Sequence, residues 1–194
     1  MLIKLALQLA PNMEGVFLLL ILGFYILLRM VFSFKVDHLK RDTKRFSMGL
    51  ELLHEQEYDQ GLTFFNRAVQ QYPQSALAYA SRSRCQLGLG EPIMAMADGV
   101  RASAIDPYLR SVYLTKGKAL FEMKEWTMAI VEFEKATWYD RECAEAHTWL
   151  GLTYIEDGQS GKAVKCFQKA VRMGDENAAY YLRKRHDVEI WKTI

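Results

Sequence analysis

The sequence predicts an all-α protein, a right-handed α-solenoid of four helix pairs with a capping helix after it and one transmembrane helix before it. Three observations predict this: an apolar run at 15–34, a 34-residue period of small residues within 42–177, and a further helical pattern at 178–194. A fixed period of this length is typical of helix pairs that stack on their neighbours. The recurring small residues are Gly49, Ser83, Gly117, Gly151, then Gly61, Ala95, Ala129, Ala163, then Ala68, Ala102, Ala136, Ala170.

The N-terminal apolar run predicts a membrane anchor. Residues 15–34 contain one charged side chain, Arg29, in twenty positions, and about twenty apolar residues cross a bilayer core as a helix. A cleaved signal peptide is the alternative, but the run is longer than the apolar part of such a peptide and no small-residue cleavage site follows it. Arg29 either extends its stem to the interface or pairs with an acidic residue of a neighbouring transmembrane helix.

The charges beside the apolar run predict its orientation. Only Lys4 and the amino terminus precede the run as cations, whereas five cations follow it: Lys35, Lys40, Arg41, Lys44 and Arg45. Because basic residues stay on the cytoplasmic side, residues 35–41 form a basic juxtamembrane linker next to anionic lipids. The protein is predicted to be a single-pass membrane protein whose repeats face the cytoplasm or the equivalent organellar compartment. Residues 1–14 form a short N-terminal segment, of which 1–12 is either an interfacial helix or the part before a start at Met13.

The repeating region divides into four units, residues 42–75, 76–109, 110–143 and 144–177. Larger residues follow the same register: Tyr79, Tyr113 and His147 early in a unit, Phe65, Phe133 and Phe167 late, and Pro73 and Pro107 at two unit ends. This pattern resembles the tetratricopeptide repeat (TPR). The resemblance implies two antiparallel helices in each unit, with the first helices lining a concave groove.

The second unit and the C-terminal segment depart from the regular pattern. Gly99 stands where the other units have a late aromatic residue, and a glycine inside a helix costs about 1 kcal/mol relative to alanine, so this unit is the least stable or the most closely packed. Residues 178–194 predict a capping helix, in which Tyr181 and Leu182 cover the fourth unit. Three cations give this helix a polar face or a basic docking site: Arg183, Lys184 and Arg185.

Catalytic, metal-binding and nucleic-acid-binding patterns are missing from the sequence. The histidines His38, His54, His147 and His186 have no ligand spacing, and Cys85, Cys143 and Cys166 form no CxxC pair, so neither zinc nor a disulfide framework is predicted. No glycine-rich phosphate loop is present. Residues 42–177 carry 16 basic and 19 acidic side chains, which disfavours binding to a polyanion. The prediction is a protein that is not an enzyme and has no cofactor or small-molecule substrate.

The TPR resemblance places a partner-binding groove on the first helices. Its centre carries Arg84 and Lys118, which are either solvated charges or a basic centre for an acidic partner segment, and its ends are apolar. TPR cochaperones that clamp a chaperone C-terminus carry Lys and Asn where this chain has Phe46 and Leu50, so that subtype is disfavoured. The predicted groove residues are Phe46, Leu50, Leu53, Leu77, Ser81, Arg84, Leu114, Lys118, Phe121, Leu152 and Ile155.

Together these features predict a membrane-anchored TPR scaffold or adaptor that binds protein partners in its groove and assists assembly of a membrane complex. The alternative is a structural subunit of such a complex, in which the transmembrane helix and Arg29 make specific contacts. Arg29, Lys35, Lys40 and Arg41 are the residues predicted to lie at the membrane.

Overall fold

The computed structural model describes the backbone of residues 13–191 and the side chains of 15–29 and 38–184. Ten α-helices and no β-strand lie within these residues. The chain forms two compact units, Met1–Arg45 and Phe46–Ile194. Residues 1–12 of the predicted N-terminal segment 1–14, and the side chains of Lys35 and Arg185, lie outside the described residues.

The first unit contains one long helix, α1 (Met13–Arg45). It runs without a break through the predicted apolar span, the basic linker and residues 42–45, where the first repeat was expected to begin. Arg29, Lys40 and Arg41 are exposed on it, and Arg45 Nη1 forms a salt bridge with Asp42 at 2.8 Å. Eleven large apolar side chains are exposed between Val16 and Leu28 of α1: Val16, Phe17, Leu18, Leu20, Ile21, Leu22, Phe24, Tyr25, Ile26, Leu27 and Leu28.

The transmembrane helix predicted at 15–34 is not confirmed. Within the described part of the chain, no helix has both the length and the apolar character needed to cross a membrane.

The second unit consists of four helix pairs and a final helix, which confirms the predicted all-α solenoid. Neighbouring helices in the chain pack on each other throughout, and the first helices of successive pairs also touch, α4 with α6 and α6 with α8. The helices are α2 (Ser47–His54), α3 (Tyr58–Gln71), α4 (Ala76–Gly88), α5 (Pro92–Ile105), α6 (Arg110–Glu122), α7 (Trp126–Tyr139), α8 (Ala144–Glu156), α9 (Ser160–Arg172) and α10 (Glu176–Trp191).

Local sequence explains where several of these helices start and stop. Ser75 caps α4 by accepting a hydrogen bond from the Ala78 amide at 3.3 Å, and Pro92 begins α5, where its missing N–H has no cost. Gly90, Gly158 and Gly174 have φ between +75° and +88°. Glycine adopts that left-handed backbone more readily than residues with a Cβ atom, so these residues end helices or turn the chain between them.

The core of three repeats depends on a glycine that faces a phenylalanine. Phe65, Phe133 and Phe167 of the second helices are fully buried. A Cβ atom on Gly117 would lie 2.6 Å from the Phe133 ring, and one on Gly151 would lie 2.7 Å from the Phe167 ring. The two helices of each pair therefore approach so closely that the first helix has no room for a side chain at this position.

In the second repeat, other residues occupy the positions of the glycine and the phenylalanine. Ser83 replaces the first-helix glycine, and its hydroxyl donates to the Ala95 carbonyl at 2.6 Å. Gly99 replaces the phenylalanine, and a Cβ there would lie 2.6 Å from Cγ of Lys116. The missing aromatic ring thus leaves space for the stem of a lysine from the next repeat, and this unit is closely packed.

The final helix α10 covers the end of the fourth repeat. Ala178 is fully buried, Tyr181 and Leu182 pack against the core cluster that contains Phe167, and the Tyr181 ring stacks on Phe167 with ring centres 5.6 Å apart. Arg183 and Lys184 are exposed.

Candidate partner-binding groove

A cavity of about 420 Å³ opens where α4, α6 and α8 lie side by side. We call it the groove cavity. Three of the predicted groove residues line it together, Arg84, Leu114 and Lys118. The remaining lining residues are Tyr58, Leu87, Gly88, Ser111, Thr115, Glu122, Glu145 and Trp149.

Lys118 is held at the centre of the groove cavity by two neighbours on α8. Its ammonium group donates to a carboxylate oxygen of Glu145 and lies 5.1 Å from the centre of the Trp149 ring. Both contacts attract a cation and so restrain the position of the ammonium group. Lys118 is therefore a positioned cation whose charge is already paired with Glu145.

The groove cavity contains carboxyl groups as well as the two predicted cations. Arg84 is exposed and Lys118 half-buried, but Glu122 and Glu145 line the same cavity. Burial raises the pKa of Glu122, and the positive charge of Lys118 opposes this shift. The cavity thus offers two cations and two carboxyl groups beside an aromatic wall.

Several predicted groove residues do not face an accessible surface. Phe46, Leu53 and Ser81 are only 1%, 4% and 2% exposed. Phe46 and Leu53 belong to the core cluster of the first repeat, so apolar burial explains their position and a partner cannot reach them. These three assignments are corrected.

The other predicted apolar residues are partly accessible. Leu50 and Leu77 pack against the core of the first repeat, and Phe121 and Leu152 pack against the core of the last two repeats. Ile155 is 37% exposed. None of these five lines the groove cavity, so the apolar ends of the groove stay a prediction.

Two aromatic residues of the groove cavity, Tyr58 and Trp149, were missed by sequence reasoning. Trp149 follows Glu145 by four residues on α8, and this spacing puts both side chains on one helix face. The spacing could have predicted that Trp149 lies beside Glu145. Tyr58 begins α3, the second helix of its pair. A pattern based on first helices alone had no means to find it.

Arg82 and Lys116, two residues before Arg84 and Lys118, turn away from the groove into the space between helices. Arg82 forms two hydrogen bonds with the Asp98 carboxylate, at 2.6 and 2.7 Å. Lys116 lies 3.0 Å from a carboxylate oxygen of Glu132, and both side chains are at least 90% buried. These charges are structural and contribute nothing to the accessible groove.

Removing one partner of the Arg82–Asp98 pair is expected to destabilise the fold. Asp98→Ala leaves a half-buried guanidinium without its carboxylate, and we expect a loss of about 3 kcal/mol in the free energy of unfolding. Arg110→Ala, which breaks the more exposed pair with Asp140, is the matched control and is expected to cost less than about 1 kcal/mol. Chemical denaturation measures both values, and equal losses would contradict the structural role of the buried pair.

Comparison with known proteins identifies the repeats. Two family profiles, each described as tetratricopeptide repeat, match residues 47–75 and residues 144–174, which confirms that the chain contains TPR repeats. The Hsp70-Hsp90 organizing protein of Triticum aestivum is 28% identical over 92 residues, covering 47% of this chain and 16% of that protein. The SGT1 homolog of Oryza sativa is 26% identical over 125 residues, covering 57% of this chain and 34% of that protein. The matches thus span only about a third or less of these relatives.

Solved structures show the same fold. A thermophilic TPR protein of Thermus thermophilus has a TM-score of 0.62 at 24% identity and covers 69% of this chain and 74% of its own. MamA has a TM-score of 0.57 at 25% identity, with coverage of 73% and 80%. The first TPR of Spaghetti (RPAP3), bound to the HSP90 peptide SRMEEVD, has a TM-score of 0.57 at 18% identity, with coverage of 60% and 94%.

Proposed function

We propose that this chain is a TPR scaffold that binds an extended segment of a protein partner in the groove cavity, without covalent chemistry. The observation that carries the proposal is the grouping of Arg84, Lys118 and Trp149 around a single cavity of about 420 Å³. Cations beside an aromatic wall suit a segment with acidic and apolar side chains, because the charges orient it while burial of apolar surface holds it.

Arg84 would be the main binding contact for an acidic side chain of the partner. It is exposed, and no described acidic side chain forms a salt bridge with it. Leu114 and Trp149 would then contact a neighbouring apolar side chain of the partner segment. Glu122 and Glu145 would repel a partner segment with consecutive acidic residues. The partner segment is therefore a mixed sequence in which acidic positions are separated.

A chaperone C-terminus is the second candidate partner. The relatives named Hsp70-Hsp90 organizing protein favour it, as does the structural neighbour that holds the peptide SRMEEVD. The buried Phe46 and half-buried Leu50 stand where the clamp of TPR cochaperones carries Lys and Asn. This peptide is a suitable probe, since its binding would favour the chaperone candidate and its failure to bind would favour a different mixed-charge partner.

We expect Arg84→Glu combined with Lys118→Glu to abolish recovery of the natural partner in affinity purification followed by mass spectrometry. Two charge reversals replace attraction by repulsion at the place where the acidic group would bind. The control is Arg67→Glu combined with Lys165→Glu, which makes the same charge change at exposed positions outside the groove cavity. Undiminished recovery from a groove variant with unchanged helical circular dichroism would contradict the proposal.

The proposed scaffold is anchored to a membrane through α1, with the repeats on the cytoplasmic side. Supporting this part of the proposal are the eleven exposed apolar side chains between Val16 and Leu28 and the basic residues that follow them in sequence. The alternative is a structural subunit of a membrane complex. A detergent extract distinguishes the two, because a subunit stays in a large stoichiometric particle whereas an adaptor is recovered mostly alone.

We expect the full chain to stay in membranes washed with alkaline carbonate, and Leu20→Arg combined with Phe24→Arg to release it. Each arginine at the centre of a membrane helix costs about 3 kcal/mol. Leu39→Arg combined with Thr43→Arg, with the same spacing in the polar part of α1, is the control and should stay bound. Recovery of the unmodified chain in the carbonate supernatant would refute the anchor, and digestion of the repeats by protease added outside sealed cells would refute the orientation.

A further inference from the structure

A second cavity, of about 580 Å³, lies between α7, the α7–α8 loop, α8 and α9. It shares no lining residue with the groove cavity. Three cations line it: Arg141 from the loop, and Lys169 and Arg172 from the last turn of α9. We call it the cationic cavity.

The positive charge of the cationic cavity is not neutralised within the described residues. None of its three cations forms a salt bridge there, and the Arg141 guanidinium lies over the Trp138 ring, 5.7 Å from the ring centre. The single carboxylate of the cavity, Glu134, accepts a hydrogen bond from the Tyr154 hydroxyl at 2.8 Å. Three cations therefore converge on one space with one opposing charge.

A buried polar atom without a partner borders the same cavity. His147 is 7% exposed, and its Nδ1 atom has no hydrogen-bond partner among the described residues. Buried polar side-chain atoms are nearly always hydrogen-bonded, so an unpaired one needs an explanation. Burial lowers the pKa of His147 and the charge of Lys169 lowers it further, whereas a hydrogen bond between the imidazole and the Arg141 backbone opposes both effects. An anion bound beside Lys169 would offset the effect of the Lys169 charge on the pKa of His147.

We propose that the cationic cavity binds a phosphate-type anion through Arg141, Lys169 and Arg172. A guanidinium matches phosphate oxygens with paired N–H donors, and a lysine adds a point charge. The cavity volume lies within the range of small-ligand sites. Trp138, which is 71% exposed, offers apolar surface at the edge of the cavity for the group that carries the phosphate. The site is independent of the groove cavity and of the partner that binds there.

The test is titration calorimetry of the full-length chain with inorganic pyrophosphate and with a phosphoserine peptide, each at low and at physiological salt. Lys169→Glu combined with Arg172→Glu is expected to weaken binding of both probes by about tenfold or more. Each substitution removes one charge-assisted hydrogen bond to the anion. The control is Lys162→Glu combined with Lys165→Glu, which makes the same charge change on the same helix outside the cavity and should bind as the unmodified chain does.

The His147 ring resonances give a local readout by NMR, because an anion in the cavity changes their environment. Binding of pyrophosphate alone would identify a free phosphate compound as the ligand, and binding of the peptide would identify a phosphorylated protein. Failure of both probes to bind would overturn the proposal. Equal weakening by the two double variants, or unchanged His147 resonances at saturation, would also overturn it by showing non-specific attraction.

Discussion

The close contact between a first-helix glycine and a second-helix phenylalanine is the constraint on which the repeats depend. It occurs in three of the four units, and Phe65, Phe133 and Phe167 are fully buried by it. Burial of a phenylalanine ring contributes about 2–3 kcal/mol, but only while the opposing backbone lies against it. The first helices that line the groove cavity owe their positions to this contact, so a change in core packing would also change the binding surface.

The two middle repeats also contain ion pairs between their helices. Lys116 passes the space left by Gly99 to reach Glu132, and Arg82 pairs with Asp98. Burying charges is costly unless they are paired and hydrogen-bonded, so these pairs contribute little net stability but require one specific alignment of neighbouring helices. In consequence only Arg84 and Lys118 remain as cations of the groove cavity, balanced by two carboxyl groups.

The repeat period was enough to predict the helix pairs and the small residues between them, because close helix packing leaves a strict 34-residue signature. The groove was predicted less well. Phe46, Leu53 and Ser81 lie on helices or turns that also supply the core, and the period does not tell which side of such an element is covered. The partners of Lys118 were equally hidden, since Glu145 and Trp149 come from the next repeat and a helical pattern does not give side-chain directions between units.

A double-mutant cycle on Gly151 and Phe167 tests the central constraint most directly. Gly151→Ala is expected to lower the free energy of unfolding by about 1–3 kcal/mol through overpacking, whereas Gly161→Ala, where an added Cβ meets no atom within 4 Å, should not lower it. In a Phe167→Leu background the smaller side chain should absorb the new methyl group, giving a coupling energy of at least about 1 kcal/mol by chemical denaturation. Additive effects of Gly151→Ala and Phe167→Leu would contradict the account, because they would show that the two residues do not restrict each other.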